Sequence, residues 1–317
     1  MGYIGSHTAK VFKEAGWRVV CVDRAQTIPQ AAAYIDQLIV DDYARTAPVT
    51  AVIEKVDAII HCAGSSLVGP SILDPGEYYN NNSSKTNLMM EGLAKQQWYG
   101  MVVFSSSAAT YGIPESGSYC YEQDPTNPIS PYGRSKLFCE HIIRDHCLAH
   151  GIRGVALRYF NAAGADLDGQ LGHVEDDSHI IPRVLSAHQN NVQFQLYGND
   201  YQTKDKTCVR DYLHVTDIAR AHLAATTMPL SQLSLGGFEI YNLGTNKGYS
   251  NLDILNACAD IVDDTINYRV LSRRVGDPDF LVASSEKFST HTGWKPIYSD
   301  LRTIVQTAWR WQQRYSK

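Results

Sequence analysis

The stretch Gly2-Tyr-Ile-Gly5-Ser-His-Thr-Ala-Lys-Val-Phe12 places two glycines three positions apart at the start of a helical pattern. Small residues at such a turn let the backbone close on a phosphate at the helix N-terminus. The apolar run Arg18-Val-Val-Cys-Val22 follows and ends in Asp23, about twenty residues after the glycines, where an acidic side chain accepts hydrogen bonds from a ribose. This combination predicts a dinucleotide-binding βαβ unit, whereas the glycines alone would also fit an ordinary turn.

The first half of the chain alternates short apolar runs with helical stretches. The runs occupy residues 58–62, 101–105 and 154–158, and residues 86–95 and 136–149 have helical spacing without an internal proline. Continuous β-branched runs of this length, separated by helices, are typical of buried parallel strands. We therefore predict an α/β fold with a doubly wound parallel sheet of the Rossmann type.

After Asn161 the pattern loosens into loops rich in Gly, Asp and Asn, with shorter strands predicted over residues 194–197 and 239–242. No repeat or linker in the sequence separates the two parts, so we expect them to share one interface. The predicted division is a dinucleotide-binding domain over residues 1–162 and a smaller α/β lobe for the substrate over residues 163–317.

Composition and charge exclude several classes of protein. The chain has 317 residues, 44% of them hydrophobic, and its net charge of −5 offers no basic surface to a nucleic acid. Its seven cysteines never stand at Cys-x-x-Cys spacing, and the stretch His173-Val-Glu175-Asp-Asp177 lacks the ligand spacing of a metal site. No apolar run approaches the roughly 18 residues that cross a bilayer. We expect a cytoplasmic protein that binds no nucleic acid, membrane or metal.

The most specific chemical signal is Ser105-Ser-Ser107-Ala-Ala-Thr-Tyr-Gly112, followed by Pro131-Tyr132-Gly-Arg-Ser-Lys136. Tyr132 and Lys136 are four apart, so on a helix they share one face. A nearby ammonium favours phenolate over phenol and lowers the pKa of a tyrosine. Ser107, at the carboxyl end of a predicted strand, can share the proton of a substrate hydroxyl. The sequence therefore predicts a general base at Tyr132, assisted by Lys136 and Ser107.

The acidic residue after the second strand also indicates which dinucleotide is bound. A carboxylate at Asp23 would repel a ribose 2′-phosphate and favours NAD, although Arg24 beside it leaves NADP open. Asp42, after another apolar run, could meet the adenine amino group or could be a solvated turn residue.

Further motifs resemble the UDP-glucose 4-epimerases, which are NAD-dependent sugar-nucleotide epimerases of the extended short-chain dehydrogenase/reductase type. The resemblance runs from Gly2 to the Trp309-x-Trp311 tail. It rests on strings that match in order and spacing: His61-Cys-Ala-Gly64, Tyr78-Tyr-Asn-Asn81-Asn, Ser105 to Gly112, Pro131 to Lys136, Leu157-Arg-Tyr-Phe-Asn161-Ala-Ala-Gly164, Val209-Arg210-Asp-Tyr212-Leu-His-Val215, Tyr241-Asn-Leu-Gly244 and Arg273-Arg274-Val-Gly276-Asp277.

This resemblance implies reversible hydride removal from sugar C4 to bound NAD, rotation of the 4-keto sugar and return of the hydride to its other face. It also implies a UDP-sugar substrate and a homodimer. The residues that it places at the cofactor are Gly2, Tyr3, Ile4, Gly5, Asp23, Asp42, Tyr43, Cys62, Ala63, Gly64, Ser66, Asn81, Ser105, Tyr132, Lys136 and Phe160. Those that it places at the substrate are Ser107, Tyr132, Asn161, His179, Ile180, Gln195, Leu196, Tyr197, Arg210, Arg274, Asp277 and Leu281.

Two departures from the family pattern affect the cofactor site. Ser66 stands where many of these epimerases have a lysine that reaches the ribose. The family's first strand and the leading glycine of its phosphate turn have no counterpart before Gly2. Because the first strand of a doubly wound sheet is central, we expect the neighbouring strand edges to be open and a further strand to be needed upstream for folding and NAD retention.

Three alternatives to the UDP-glucose reaction are considered. Related dehydratases need an Asp or Glu beside the catalytic serine, where this chain has Ser106, Ser107 and Ala108, so simple epimerisation is favoured. Leu281, smaller than a tyrosine at the position that gates the sugar C2 group, leaves N-acetylhexosamine or pentose substrates open. A non-catalytic nucleotide-sugar-binding protein is the remaining alternative, and bound nicotinamide would distinguish it.

Overall fold

Helices and strands alternate through the chain in a computed structural model, which describes residues 1–24, 29–114, 119–174, 179–234, 237–274 and 276–315. The helices, in chain order, are α1 (Tyr3–Glu14), α2 (Pro29–Ala32), α3 (Tyr43–Ile53), α4 (Val68–Leu73), α5 (Pro75–Tyr78), α6 (Lys85–Lys95), α7 (Pro131–His150), α8 (Ile180–Gln189), α9 (Val215–Thr226), α10 (Asn251–Val262), α11 (Glu286–Thr292) and α12 (Leu301–Tyr315). A π-helical segment, Tyr79–Ser84, joins α5 to α6.

The strands are mostly short and parallel. They are β1 (Val20–Asp23), β2 (Gln37–Val40), β3 (Ala58–His61), β4 (Met101–Ser107), β5 (Tyr119–Cys120), β6 (Arg153–Tyr159), β7 (Asn161–Ala163), β8 (Phe194–Tyr197), β9 (Val209–His214), β10 (Phe238–Leu243), β11 (Gly248–Ser250), β12 (Tyr268–Leu271) and β13 (Phe280–Ala283). The main sheet has the parallel order β10-β6-β4-β3. The predicted α/β fold class is confirmed.

Helices cover both faces of the main sheet, and the residues of β4 show how. Val102 and Phe104 pack into a core with α3, α6 and α7. Met101 and Val103, which point to the opposite face, pack into a second core with α9 and the first turn of α1. A strand buried on both faces explains the continuous apolar run in the sequence.

The second half of the chain contributes to both parts of the molecule. Strand β10 pairs in parallel with β6 and so extends the sheet built by the first half. Strand β9 instead pairs with β7, β11 and β13 in a smaller sheet, and β8 pairs with β12. A third core fills the space between α8, α10 and α12. Within the described residues, no helix is both long and apolar enough to cross a bilayer.

Strands β1 and β2 form a separate parallel pair beside the main sheet. In the part of the chain that the structure describes, β1 is paired with β2 alone and β3 with β4 alone, so no ladder joins β1 to β3. Residues of both strands, such as Cys21 and Ile60, line one cleft. Two parallel strand edges are therefore open toward the same space, as expected from the sequence.

A strand that fills this space is expected to stabilise the fold. We predict that adding an apolar strand of about five residues and Gly-Gly-Ala before Gly2 raises the melting temperature by at least about 5 °C. The physical reason is that the added strand can pair with both open edges and bury apolar side chains on two faces. Thermal unfolding measures the first effect, and absorbance of bound nicotinamide measures the retention of NAD.

The control for this extension has the same length with the strand residues replaced by Gly and Ser. An equal melting temperature for the original chain, the Gly/Ser control and the extended chain would contradict the prediction, because an apolar strand seated in the gap must bury surface that the Gly/Ser control cannot.

Several histidines are buried in the neutral form. Burial lowers the pKa of His7, His214 and His222 to about 4 and that of His61 to about 3. The unfolded chain therefore takes up protons below its ordinary histidine pKa of about 6.5, where the folded protein does not.

We predict that the free energy of unfolding falls as the pH drops from about 6.5 toward 4, by up to about 3 kcal/mol for each such histidine. Urea unfolding at a series of pH values measures this. His7→Asn should flatten the dependence, whereas exposed His141→Gln should leave it unchanged. A free energy of unfolding that stays constant over this range would refute the prediction.

Candidate active site

A cleft of about 1730 Å³ runs across the carboxyl ends of β3, β4 and β6 and continues toward β8 and β9. It brings together nearly all the residues that the sequence places at a cofactor or substrate. Those that line it are Gly2, Tyr3, Ile4, Gly5, Asp23, Tyr43, Cys62, Ala63, Gly64, Ser66, Asn81, Ser107, Tyr132, Lys136, Phe160, Asn161, His179, Ile180, Gln195, Leu196, Tyr197, Arg210, Arg274, Asp277 and Leu281.

The first two turns of α7 carry Tyr132 and Lys136 of the predicted catalytic motif. The Ser130 hydroxyl caps the helix by accepting a hydrogen bond from the Gly133 N–H at 3.1 Å. Gly133 allows the helix to start against the turn that follows β4, since a Cβ there would lie 2.4 Å from the Ala109 carbonyl oxygen. This close approach holds Tyr132 next to the strand end that carries Ser107.

Lys136 lies one helical turn after Tyr132 and is almost fully buried. Its ammonium donates a hydrogen bond to the Ser105 carbonyl oxygen at 2.9 Å and lies 5.9 Å from the centre of the Tyr132 ring. Tyr132 and Ser107 are 8% and 9% exposed, respectively, which leaves each of them in reach of a ligand in the cleft. The arrangement places a cation beside a tyrosine that can exchange a proton with a bound hydroxyl.

A buried ion pair fixes α7 against the sheet. Arg158 on β6 donates two hydrogen bonds to the Glu140 carboxylate, from Nε at 2.9 Å and from Nη2 at 2.6 Å. The Ser106 hydroxyl donates a third at 2.5 Å. Glu140 is four residues after Lys136, so the carboxylate anchors the same face of the helix that carries Tyr132 and Lys136.

The dinucleotide end of the cleft combines a helix N-terminus with a carboxylate. Helix α1 begins after Gly2 with no side-chain cap and no acidic residue in its first turn, so its N–H groups suit an anion. Asp23 ends β1 at the cleft wall, where it forms an ion pair with the Met1 amino group. These groups fit the pyrophosphate and adenosine ribose of a dinucleotide.

The loop after β3 is shaped by Asn82, which the sequence analysis did not single out. Its side chain accepts a hydrogen bond from the Ser65 N–H at 2.7 Å and donates to the Ser65 carbonyl oxygen at 3.0 Å. Gly64 has a φ of +142°, and a Cβ there would lie 2.6 Å from the Asn82 amide oxygen. The loop therefore needs glycine at this position. Asn82 lies in the π-helical segment, a feature often found at functional sites.

Two of the residues expected at the cofactor do not line the cleft. Asp42 caps α3 by accepting a hydrogen bond from the Ala44 N–H at 3.0 Å, and it pairs with Lys85 at 2.6 Å. Its neighbour Asp41 lies at the cleft instead. Ser105 is 1% exposed and contributes its carbonyl oxygen to Lys136 from behind the cleft wall.

Arginines and their partners line the other end of the cleft. Arg210 on β9 pairs with Asp277, which also accepts a hydrogen bond from the Tyr201 hydroxyl at 2.9 Å. The exposed guanidinium of Arg274 lies 4.2 Å from the centre of the Tyr197 ring. Guanidinium groups bind diphosphate oxygens two at a time. This end of the cleft is therefore suited to a nucleoside diphosphate.

Three further residues border the region between the two ends. Asn161 is held by a hydrogen bond from its amide nitrogen to the Asp211 carbonyl oxygen at 2.9 Å. His179 immediately precedes α8 and is kept neutral because burial lowers its pKa to about 4. Leu281 on β13 lies opposite Arg210 in the β-sheet register.

Comparison with known proteins identifies the family. The model of the NAD dependent epimerase/dehydratase family matches residues 1–244. The chain belongs to this family.

Its similarity to individual members extends over nearly the whole chain. It is 42% identical to the UDP-glucose 4-epimerase of Lacticaseibacillus casei, across 99% of this chain and 95% of that protein. The structure of the Brucella ovis UDP-glucose 4-epimerase in complex with NAD is 40% identical, with a TM-score of 0.89 over 97% of this chain and 94% of that chain. The Bifidobacterium longum enzyme with NAD⁺ and UDP is 32% identical, with a TM-score of 0.87 over 99% and 96%.

Metal ligands are a separate question for an epimerase of this family. Among the residues that the structure describes, no group of three or more His, Cys, Asp or Glu side chains is arranged to hold a metal ion. The acidic stretch considered in the sequence extends over residues 175–177, which lie outside the described residues.

The sequence analysis also missed the Glu140–Arg158 pair. The signal was present, because Glu140 repeats the spacing of four that joins Tyr132 to Lys136. What the sequence could not supply was the partner, since Arg158 lies on a strand whose neighbours depend on the whole sheet.

Removing one partner of this pair is expected to destabilise the protein. Glu140→Ala leaves the Arg158 guanidinium buried without its carboxylate, and we predict a loss of about 3–5 kcal/mol in the free energy of unfolding. Urea unfolding measures it. The matched control, Glu140→Met with Arg158→Met, removes both charges and should recover at least half of the loss. A single variant within about 1 kcal/mol of the parent chain, as for a surface pair, would exclude this role.

Proposed function

We propose that this protein is an NAD-dependent UDP-sugar 4-epimerase that interconverts UDP-glucose and UDP-galactose. The observation that carries the proposal is the convergence of Ser107, Tyr132 and Lys136 in one cleft, between its dinucleotide end and its arginine end. Family membership and the 42% identity to a UDP-glucose 4-epimerase support the same reaction.

Three residues of the chain carry out the proton transfer, and the cofactor carries the hydride. Tyr132, as the phenolate, accepts the proton of the sugar 4-hydroxyl, which Ser107 shares through a hydrogen bond, and Tyr132 returns that proton after the sugar has turned. The Lys136 ammonium stabilises the phenolate, and the Ser105 carbonyl oxygen holds that ammonium in place at 2.9 Å. When bound, NAD supplies a hydride acceptor that gives the hydride back and ends unchanged.

The nucleotide is held at a distance from the reacting carbon. Arg210 and Arg274 bind the diphosphate, while Asn161 and His179 border the path to the sugar. Anchoring the diphosphate, rather than the hexose, leaves the 4-keto sugar free to rotate and present its other face. The contacts with the diphosphate therefore provide affinity for the substrate without determining which face of the 4-keto sugar receives the hydride.

Elimination of water is disfavoured by the contacts of Glu140, the carboxylate that is bound by Ser106 next to Ser107. Glu140 accepts three hydrogen bonds, from Arg158 and Ser106, and is 2% exposed. A carboxylate held in this way is turned away from the cleft and cannot serve as the additional acid that a dehydratase needs. The proposal is therefore confined to epimerisation.

A second candidate substrate class is favoured by one residue. Leu281 lines the cleft beside Arg210 and is smaller than a tyrosine. The space that it leaves suits a larger group on sugar C2. UDP-N-acetylhexosamines are therefore the second candidate substrates.

We also propose a homodimer formed through the helices on the α7 face of the main sheet. Leu88 on α6 and Phe138 on α7 are 45% and 46% exposed, and these two helices pack against each other. Leu73, at the end of α4, is 88% exposed. Apolar side chains clustered on adjacent helices are typical of an interface between subunits.

The cysteines favour the cytoplasm as the compartment. All seven are free thiols in the structure, and six of them are buried. A chain with this many unpaired thiols is suited to a reducing environment.

The proposed base is tested by removing its hydroxyl group. Tyr132→Phe should lower the turnover of UDP-galactose by at least about 100-fold, because the general base is lost while folding and NAD binding persist. Ser107→Ala should cost less, since it removes a partner in proton sharing and leaves the base. A coupled assay measures turnover, and absorbance of the purified protein measures bound nicotinamide.

The matched control is Tyr79→Phe, which removes a tyrosine hydroxyl beside Phe138 and outside the cleft lining. Near-normal turnover in Tyr132→Phe would eliminate this assignment of the base. Fully folded protein that binds UDP-galactose but never holds nicotinamide would instead favour a nucleotide-sugar-binding protein.

A further inference from the structure

A chain of buried hydrogen bonds leads from the cleft wall to helix α9. The Cys62 sulfur, at the cleft, lies 3.1 Å from the Ser105 hydroxyl oxygen. The same oxygen lies 2.9 Å from Nε2 of His222. Nδ1 of His222 lies 2.9 Å from the Ile218 carbonyl oxygen, one turn earlier in α9.

The contacts of His222 fix the direction of every proton in this chain. A carbonyl oxygen only accepts, so Nδ1 must carry the hydrogen that it donates to Ile218. Burial lowers the pKa of His222 to about 4, so the ring is neutral near pH 7 and its Nε2 is an acceptor. The Ser105 hydroxyl therefore donates to His222. Because burial raises the pKa of Cys62, its thiol stays protonated and donates to Ser105.

Ser105 joins this chain to the catalytic lysine. Its side chain contacts His222, Cys62 and the side chain of Tyr159, while its carbonyl oxygen accepts the hydrogen bond from Lys136 at 2.9 Å. A residue held at both its side chain and its backbone has little freedom to rotate. The direction in which the carbonyl points is therefore set partly by the contact with His222.

Three titratable groups around Lys136 are neutral, so the position of its ammonium depends on the hydrogen bond to the Ser105 carbonyl oxygen. His61, Cys62 and Cys139 interact electrostatically with Lys136, and burial keeps each of them neutral by lowering the pKa of the histidine and raising those of the thiols. The oxygen of Ser105 is thus the hydrogen-bond acceptor that holds the ammonium next to Tyr132. A displaced carbonyl would let the ammonium move away from the phenolate.

We propose that His222, which is fully buried on α9 and touches no ligand in the cleft, is a positioning residue that aligns Lys136 with Tyr132 through Ser105. The proposal rests on the epimerase function described above. It assigns to α9 a part in the acid–base chemistry that its position on the far face of the sheet does not suggest.

The test uses two substitutions, each of which keeps one of the two hydrogen-bonding groups of the His222 imidazole. His222→Asn retains a donor for the Ile218 carbonyl oxygen but removes the ring nitrogen that accepts from the Ser105 hydroxyl, which leaves Ser105 with Cys62 and Tyr159 as side-chain partners. His222→Gln places an amide oxygen near the position of Nε2 and keeps that acceptor. Steady-state kinetics with UDP-galactose are measured across pH on NAD-loaded protein, together with the melting temperature.

For His222→Asn we expect kcat to fall by about 10-fold to 100-fold, with KM within about twofold, because the diphosphate contacts lie elsewhere. The acid limb of the kcat profile should move to higher pH, since the phenolate loses part of its stabilisation. His222→Gln should restore both kcat and the profile. A lower melting temperature with an unchanged pH profile and unchanged kcat per NAD-loaded molecule would overturn the proposal and leave a purely structural role.

A second variant, at Ser105, tests the proposal independently of whether the His222 variants fold. Ser105→Ala removes the hydroxyl and keeps the carbonyl oxygen, so it should reproduce the lower kcat and the shifted profile. The double variant with His222→Asn should be no worse than either single variant, because both break one connection. Additive losses would contradict the proposal. Normal turnover in Tyr132→Phe would remove the proposed function itself, whereas a normal His222→Asn beside an inactive Tyr132→Phe would remove the positioning role alone.

Discussion

The orientation of α7 depends on the buried pair between Glu140 and Arg158. Removing two charges from water carries a large penalty, which a bidentate geometry and a third hydrogen bond from Ser106 offset. The pair therefore adds little net stability, but a displaced α7 would separate the two buried charges and leave each without its partner. Because Tyr132, Lys136 and Glu140 recur every fourth residue, fixing the last of them fixes the face that carries the other two.

The three serines at the end of β4 make contacts with three different parts of the molecule. Ser106 points toward α7 and binds Glu140, whereas Ser105 points to the opposite face and binds His222. Ser107 lies at the cleft, where its hydroxyl also accepts a hydrogen bond from the Ala109 N–H at 3.2 Å. Successive side chains of a strand alternate between faces, so one short run can anchor both neighbouring layers and still present a group to the substrate.

Much of the fold and of the site could be predicted because its signals are local. The apolar runs became β3, β4 and β6, and the spacing of Tyr132 and Lys136 became one face of α7. Other features depend on which strands become neighbours. Nothing in the run over residues 239–242 indicates that β10 pairs with β6 in the main sheet. The role of Asp42 stays open for a local reason, since an aspartate two residues before a helical N–H also suits a cap.

The cleft is larger than a site for one small ligand. Small-molecule sites commonly enclose about 300–1000 Å³, whereas this cleft measures about 1730 Å³. Residues of β1 and β3, whose facing edges are open, line this cleft beside the dinucleotide end. Asp23 is the last residue of β1, so the position of the carboxylate predicted to bind the ribose depends on how firmly that strand is held. The packing of the sheet at this gap and the affinity for the cofactor are therefore coupled through one strand.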